Sequence, residues 1–342
     1  MIIAVDAMGG DNAPAEIVRG AVEAVKAEEG FDVLLIGDAE RITGILSESG
    51  YKGDRIKIRN ATEVITNEDV PTKAIKNKKD SSLHVGFDLV KANEADCLIS
   101  AGSSGALLAG SVMLLKRIPG VDRPAVATAV PSGKGNVLLI DSGFNTSVKP
   151  VNYVQFGLLG SAYMRAAFGS EDPRVGLINI GVEEEKGDSV IKEANMLLKN
   201  AKLNYVGNVE SRDFFNDVID VAVTDGFTGN VMLKLIEGAS EFLLGEIKKV
   251  FSTNARTKIG AVMVAEEIKG LKQKVDTDIL GGAPVLGIDR LIIKSHGSSK
   301  ARTIKYVILK AKKLIGSHFI EDLRTRCDEL FVADREEHKT TV

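Results

Sequence analysis

The sequence predicts an α/β fold of three layers, with helices on both faces of a mostly parallel sheet. Several apolar runs end directly in small, glycine-rich polar loops: IIAVDAMGGD (Ile2 to Asp11), CLISAGSSGA (Cys97 to Ala106), VLLIDSGFN (Val137 to Asn145) and VIDVAVTDGFTGN (Val218 to Asn230). Each describes a buried strand leaving a sheet at a helix start. These strands alternate with helical patterns, and a βαβαβ order requires parallel strands joined by right-handed crossovers. A length of 342 residues is enough for one large core or two subdomains.

The elements follow in order. The strand IIAVD precedes a helix over Ala15 to Ala27, where Ile17, Val18, Ala21, Val22 and Val25 recur at helical spacing and Pro14 suits the start. A strand at Val33 to Gly37, a helix carrying Ile42, Ile45 and Leu46, and a short strand at Ile56 to Ile58 complete the first unit. Ser81 to Asn93 gives a mixed helical signal leading into the Cys97 strand, and Ser103 to Leu115 reads as a small-residue helix. AVATAV (Ala125 to Val130) turns back through PSGKGN (Pro131 to Asn136) as a hairpin. Val151 to Ala167 is helical, VGLINI (Val175 to Ile180) a strand, and Gly187 to Asn200 helical again.

After Asn230, a stripe of Leu235, Ile236, Ala239, Phe242, Leu243, Ile247 and Val250 predicts a long helix. Arg256 to Val275 joins an apolar stripe (Ala261, Val264, Ile268, Leu271, Val275) to Lys269, Lys272 and Lys274, which suits a membrane surface, an acidic carrier protein or a second copy of the chain. A last amphipathic helix runs from Ile304 to Leu323. The expected organisation is one catalytic domain over 1–332, with room for two interleaved lobes and an amphipathic excursion near 252–276, then a charged tail over 333–342.

Composition narrows the function. Forty-four basic and 47 acidic residues leave a net charge of -3, so no global field recruits nucleic acid. Two cysteines, Cys97 and Cys327, build neither a disulfide framework nor a CxxC metal site, which points to a reducing cytoplasm. The start reaches Asp6 at once, leaving no signal-peptide pattern, and no apolar run approaches the ~20 residues needed to span a bilayer. The expected location is therefore cytoplasmic, at most peripheral to a membrane.

The loops carry the candidate chemistry. Ser103, Ser104 and Gly105 open a helix, where free N–H groups and the positive helix end favour an anion; the plainer alternative is an N-cap. No Walker A or Rossmann GxGxxG motif accompanies them. In TDGFTGN, Asp225, Thr228 and Asn230 supply polar side chains and Gly226 and Gly229 backbone freedom; here the alternative is a turn capping the next helix. Asn145 ends the related DSGFN loop. Asp6, Asp11, Asp141 and Asp225 would hold a divalent cation if they converged, but such residues more often cap helices, and no metal or cofactor is assigned. Of four histidines, His296 in KSHGSS, beside Lys294 and at another helix start, is the best placed general acid or anion ligand.

Taken together and in this order, AVDAMGGD, SAGSSGAL, DRPA (Asp122 to Ala125), DSGFN, RVGLINIGVEEEKG (Arg174 to Gly187), VTDGFTGN and KSHGSS resemble the bacterial phosphate acyltransferases of phospholipid synthesis, the PlsX family. The family more often has Asn-Thr at Ser103–Ser104 and DVGAN at DSGFN, so at those places a backbone role is expected rather than a side-chain one. The resemblance implies a fold like that of the isocitrate and isopropylmalate dehydrogenases and of phosphotransacetylase. It implies transfer of a long-chain acyl group from acyl carrier protein to inorganic phosphate, with the acyl phosphate passing to a membrane glycerol-3-phosphate acyltransferase. A homodimer and peripheral membrane association are implied as well. Within that reading, Ser103 to Gly105 and Gly226 to Asn230 are expected to hold phosphate with Asn145, and His296 or Lys294 to serve the oxyanion or the leaving thiol. The competing readings are a dehydrogenase of the same fold, a phosphotransacetylase-like enzyme using short acyl-CoA, and a non-catalytic membrane or partner adaptor.

Overall fold

A computed structural model describes residues 1–133, 135–274, 282–325 and 327–328, of which 272–274 by backbone alone. The first half comprises β1 (Ile2–Asp6), α1 (Ala15–Ala27), β2 (Asp32–Gly37), α2 (Ala39–Glu48), β3 (Ile56–Asn60), α3 (Pro71–Asn77), α4 (Ser82–Lys91), β4 (Cys97–Ser100) and α5 (Ser104–Leu114). Then come β5 (Ala125–Pro131), β6 (Asn136–Ile140), α6 (Pro150–Phe168), β7 (Val175–Asn179), α7 (Ser189–Asn200), β8 (Tyr205–Glu210) and β9 (Val221–Val223). The chain ends with α8 (Gly226–Ser252), α9 (Ala255–Met263), α10 (Ala265–Lys274), β10 (Ala283–Leu286), β11 (Leu291–Lys294) and α11 (Ala301–Gly316).

Among the described residues, eleven strands form one sheet in the order β3-β2-β1-β4-β11-β10-β5-β6-β9-β7-β8. The pairs β10·β11, β10·β5 and β5·β6 are antiparallel and the others parallel. The sheet is thus two parallel blocks, β3 to β11 and β6 to β8, that run in opposite directions and are joined by β10 and β5. The expected βαβαβ start and the β5–β6 hairpin are both present. A single edge of carboxyl ends is not, because the loops after β4 and β11 leave in the opposite direction to those after β6 and β9.

Strand alternation divides the core between the two faces. Ile3, Val5, Val33 and Leu35 pack on the first face with α1, α6 and α11; Ala125, Ala127, Ala129, Leu138 and Ile140 continue the same core. On the second face, Ala4, Ile36 and Leu98 pack under α4 and α5, while Val137, Leu139 and Ala222 pack with Phe214 and the first turns of α8. Each fully buried Leu, Ile or Phe contributes about 1.5–3 kcal/mol. β5 spans the two second-face clusters: Val126 belongs to one and Val130 to the other, with half-buried Thr128 between them. Among the described residues, the helical cover over Thr128 is open.

The long helix after Asn230 is present as α8, and part of its stripe turns outward: Leu235 and Phe242 are 69% and 65% exposed, and Leu243 and Val250 are exposed too. Two sequence expectations change. The segment from 256 is two helices rather than one, and its most exposed apolar residues are Val262 and Met263, at 78% and 79%, not the anticipated stripe. Val275 and the tail from 333 lie outside the described residues, as do the side chains of Lys272 and Lys274. The last helix also breaks: Ser317 caps α11, His318 has φ 52°, and helix resumes over 319–325. Segment α3 and strand β8 were not anticipated.

Candidate active site

Three strand-exit loops of the first block meet. The Asp11 N–H donates to Gly297 O at 2.8 Å, and Asn12 Nδ2 to Ser298 O at 3.0 Å. Glycine is required at this junction, since a Cβ on Gly9 would lie 2.4 Å from Asp6 Oδ2 and 2.8 Å from Gly102 N, and Gly10 has φ +104°. Beneath them, buried Asp6 accepts from Ser100 Oγ at 2.7 Å, and Ser100 Oγ accepts from Gly102 N at 3.0 Å. Burial pushes the Asp6 carboxyl above the usual carboxylate range, opposed by hydrogen bonds from Ser82 and Ser100.

The start of α5 and the exit of β11 form one side of a cavity of about 690 Å³ over β5. Ser104 lines it at the start of α5, and Lys294, His296 and Ser298 line it from the exit of β11. Across the cavity stand Ser142, Gly143 and Phe144 from the exit of β6, and Thr128 of the floor shares a 2.7 Å hydrogen bond with Ser142. Helix α8 closes the remaining side with Asn230, Lys234, Glu237 and Glu241, and with Leu233, Ile236 and Leu244. It crosses from the second block to the first, where Lys234 Nζ lies 2.6 Å from His296 Nε2.

The predicted site residues therefore separate. Ser103 is the N-cap of α5, accepting from Ala106 N at 3.4 Å, while Ser104 and Gly105 occupy the first helical positions, whose N–H groups have no partner within the helix. Asn230, Lys294 and His296 reach the cavity. TDGFTGN is a helix start rather than a loop: Asp225 caps α8 by accepting from Phe227 N and Thr228 N at 2.9 Å, and Thr228 Oγ1 donates back to Asp225 at 2.7 Å. Gly226 and Gly229 allow α8 to press on the β6 exit, since a Cβ on Gly229 would stand 2.0 Å from Asp141 O. Asn145 is buried beside this junction, with Nδ2 donating to Pro124 O and to Asp141 Oδ2, both at 2.8 Å. Asp225, Gly226, Thr228, Gly229 and Asn145 thus support the wall and do not line the cavity.

The four aspartates do not converge. Asp141 accepts from the N–H groups of Val126, Gly143, Phe144 and Asn145, Asp225 caps α8, and among the described residues no group of three His, Cys, Asp or Glu is placed to hold a metal.

Electrostatics single out two basic groups. Burial pulls the Lys294 ammonium down to about 8; Asp6 opposes this and Lys234 adds to it. Burial also lowers His296, and the Lys234 charge adds to the fall. Sequence reasoning missed Lys234, Glu237 and Glu241. Their signal was a polar stripe at helical spacing, Asn230, Lys234, Glu237, Glu241, running alongside the apolar stripe.

Neither thiol is chemically placed. Cys97 and Cys327 are buried, and burial raises both, Cys327 to about 12. Cys97→Ser and Cys327→Ser are expected to retain kcat while losing about 1–3 kcal/mol of stability through the buried hydroxyl. A thiol-dependent loss of turnover in a folded variant would contradict this.

Comparison with known proteins finds relatives over nearly the whole chain. A family profile described as "Fatty acid synthesis protein" matches residues 1–322. The chain is 51% identical over 337 residues to the phosphate acyltransferase of Acetivibrio thermocellus, covering 98% of this chain and 99% of the relative. It is 44% identical to that of Thermoanaerobacter pseudethanolicus, covering 97% and 100%. In fold it is similar to a phosphotransacetylase from Streptococcus pyogenes, with a TM-score of 0.62 at 16% identity over 92% of this chain and 94% of that one. A branched-chain phosphotransacylase from Enterococcus faecalis superposes with a TM-score of 0.56 at 13% identity, over 92% and 99%. With near-complete coverage at this identity, the chain belongs to the phosphate acyltransferase family of fatty acid and phospholipid synthesis.

Proposed function

We propose that this enzyme transfers a long-chain acyl group from acyl carrier protein to inorganic phosphate, and that the acyl phosphate is consumed by a membrane glycerol-3-phosphate acyltransferase. The observation that carries this reading is the two-sided cavity. The start of α5 and Lys294 form a cationic, N–H-rich end suited to phosphate, and Phe144, Leu233, Ile236 and Leu244 form an apolar wall suited to an acyl chain. Phosphate is already a nucleophile, so positioning it against the thioester carbonyl and stabilising the oxyanion supply most of the rate. Lys294 serves the oxyanion and phosphate, Asn230 adds a polar contact, and no covalent enzyme intermediate is needed. Phosphate-dependent thiol release from acyl carrier protein, compared with acyl-CoA, tests the reading; release from short acyl-CoA alone would overturn it.

The exposed face of α8 fits a homodimer. Leu235, Phe242, Leu243 and Val250 form an apolar strip on a helix of 27 residues, and a second copy of the chain would cover it. Leu235→Asp with Phe242→Asp is expected to give a monomer by light scattering, and a persistent dimer would place the interface elsewhere. Ile259, Val262 and Met263 on α9 offer a separate apolar tip for peripheral contact with a membrane. Val262→Asp with Met263→Asp should abolish co-sedimentation with anionic vesicles, and unchanged binding would exclude this tip. Among the described residues, no helix is long and apolar enough to cross a membrane.

A further inference from the structure

Lys234 lines the cavity from α8, with Nζ 2.7 Å from Glu237 Oε2 and 2.6 Å from His296 Nε2. A carboxylate only accepts, so Nζ is the donor to Glu237, and an ammonium has three donors and no lone pair. His296 Nε2 is consequently an acceptor. The ring proton then lies on Nδ1 and donates to Ser298 Oγ at 2.8 Å, and the Ser298 N–H, directed at the same atom at 3.3 Å, competes with that proton. This tautomer follows from the network of partners. A neutral His296 is also what its surroundings favour: burial and Lys234 lower it, Lys294 adds to this, and Glu237 and Asp11 oppose.

Held this way, His296 has no proton to release into the cavity, since its one N–H points back to its own loop. Lys234 does, because among the described residues Glu237 and His296 engage two of its three N–H donors and the third is left. We propose that Lys234 protonates the departing thiol, and that His296 is a positioning residue whose Nε2 aims the Lys234 ammonium across the cavity. The assignment rests on acyl transfer from a thioester to phosphate. A phosphate oxygen forms the new bond to the carbonyl carbon; the carbon–sulfur bond breaks and sulfur leaves with its electron pair. Sulfur takes a proton from Lys234 Nζ, and the proton carried by the attacking hydrogen phosphate returns to the Lys234 amine. Thioester and hydrogen phosphate become acyl phosphate and thiol with no net proton gained or lost.

The test separates proton donation from architecture by changing the leaving group. An alkyl thiolate is the more basic leaving group and gains more from a proton as it departs than an aryl thiolate does. Lys234→Met is expected to lower kcat by about 10²–10⁴-fold on an alkyl thioester such as acyl-CoA or acyl carrier protein, and by less than ~10-fold on the thiophenyl thioester of the same acid. Equal losses on both substrates would overturn the assignment.

The His296 variants give a second readout. His296→Gln keeps an acceptor for Lys234 and should stay within ~10-fold of the parent kcat, whereas His296→Leu should fall with Lys234→Met. Equal damage from Gln and Leu would make the ring itself the donor. Ring ¹⁵N resonances of the resting enzyme at neutral pH provide a measurement independent of turnover: a neutral ring protonated at Nδ1 is expected, and a proton on Nε2 would overturn the proposal. Activity of the parent enzyme on acyl-CoA but not on the carrier thioester would remove the carrier reading and leave these comparisons intact.

Discussion

Replacing Lys294 with methionine is expected to lower kcat/KM for phosphate by about 10²–10³-fold, the usual cost of losing one preorganised donor to developing negative charge. Lys294 ends β11 in register with Ser100 at the end of β4, which sets its side chain beside the loop that opens α5. Its ammonium donates to Ser295 O and lines the same cavity as Ser104. A cation so enclosed by protein acts on an anion in a lower effective dielectric than one in water, and its effect grows accordingly. The same burial gives a pH signature. With Lys294 titrating near 8, the cation is complete at lower pH and is lost as pH rises through that value. Activity should therefore show an alkaline limb near 8. Lys294→Arg should move that limb upward, because a guanidinium stays charged throughout this range. A methionine variant with parental kcat/KM, or a limb unmoved in the arginine variant, would remove Lys294 from the site.

The largest loss of stability is expected at Asp141. Its carboxylate accepts from Val126 N, Gly143 N and Phe144 N at 3.1 Å, from Asn145 N at 2.7 Å and from Asn145 Nδ2 at 2.8 Å. The residue is fully buried, and burial pushes the carboxyl up against these lowering contacts. Asp141→Ala would take the acceptor from four backbone N–H groups and leave Asn145 Nδ2 with Pro124 O alone, at a cost of about 3–5 kcal/mol. The expected result is a lower urea midpoint with little change in slope, together with loss of the 142–144 wall of the cavity. Asp141→Asn should be damaging as well, because its amide group brings further donors to a place filled with donors. An alanine variant as stable as the parent would show that the loop is held by other means.

Much of the fold was legible because its signals are local. β1, β2 and the β5–β6 hairpin follow from short apolar runs and α1 from apolar spacing, a local signal that needs no knowledge of distant residues. The α3 turn and β8 escaped because neither carries it: α3 buries only Ala74 and Ile75, and β8 includes glycine and asparagine at an edge of the sheet. The site was half legible. Lys294, His296, Asn230 and Ser104 reach the cavity, as expected of strand exits and helix starts. Asp225, Thr228 and Asn145 carry the same polar signal yet bond to their own junction, and sequence spacing does not separate a capping carboxylate from one facing a ligand.

By itself the sequence determined the layered α/β class, the order of most elements and the family motifs, since each depends on residues close together in the chain. Only the tertiary structure decided that the two parallel blocks run in opposite directions, and hence that their loops meet over β5 instead of along one edge. It also decided that α8 carries Lys234 to His296 while turning Leu235 and Phe242 outward. Both follow from long-range pairing: the direction of a block is set by which strands it pairs with, and the role of a helix face by what the sheet places opposite it.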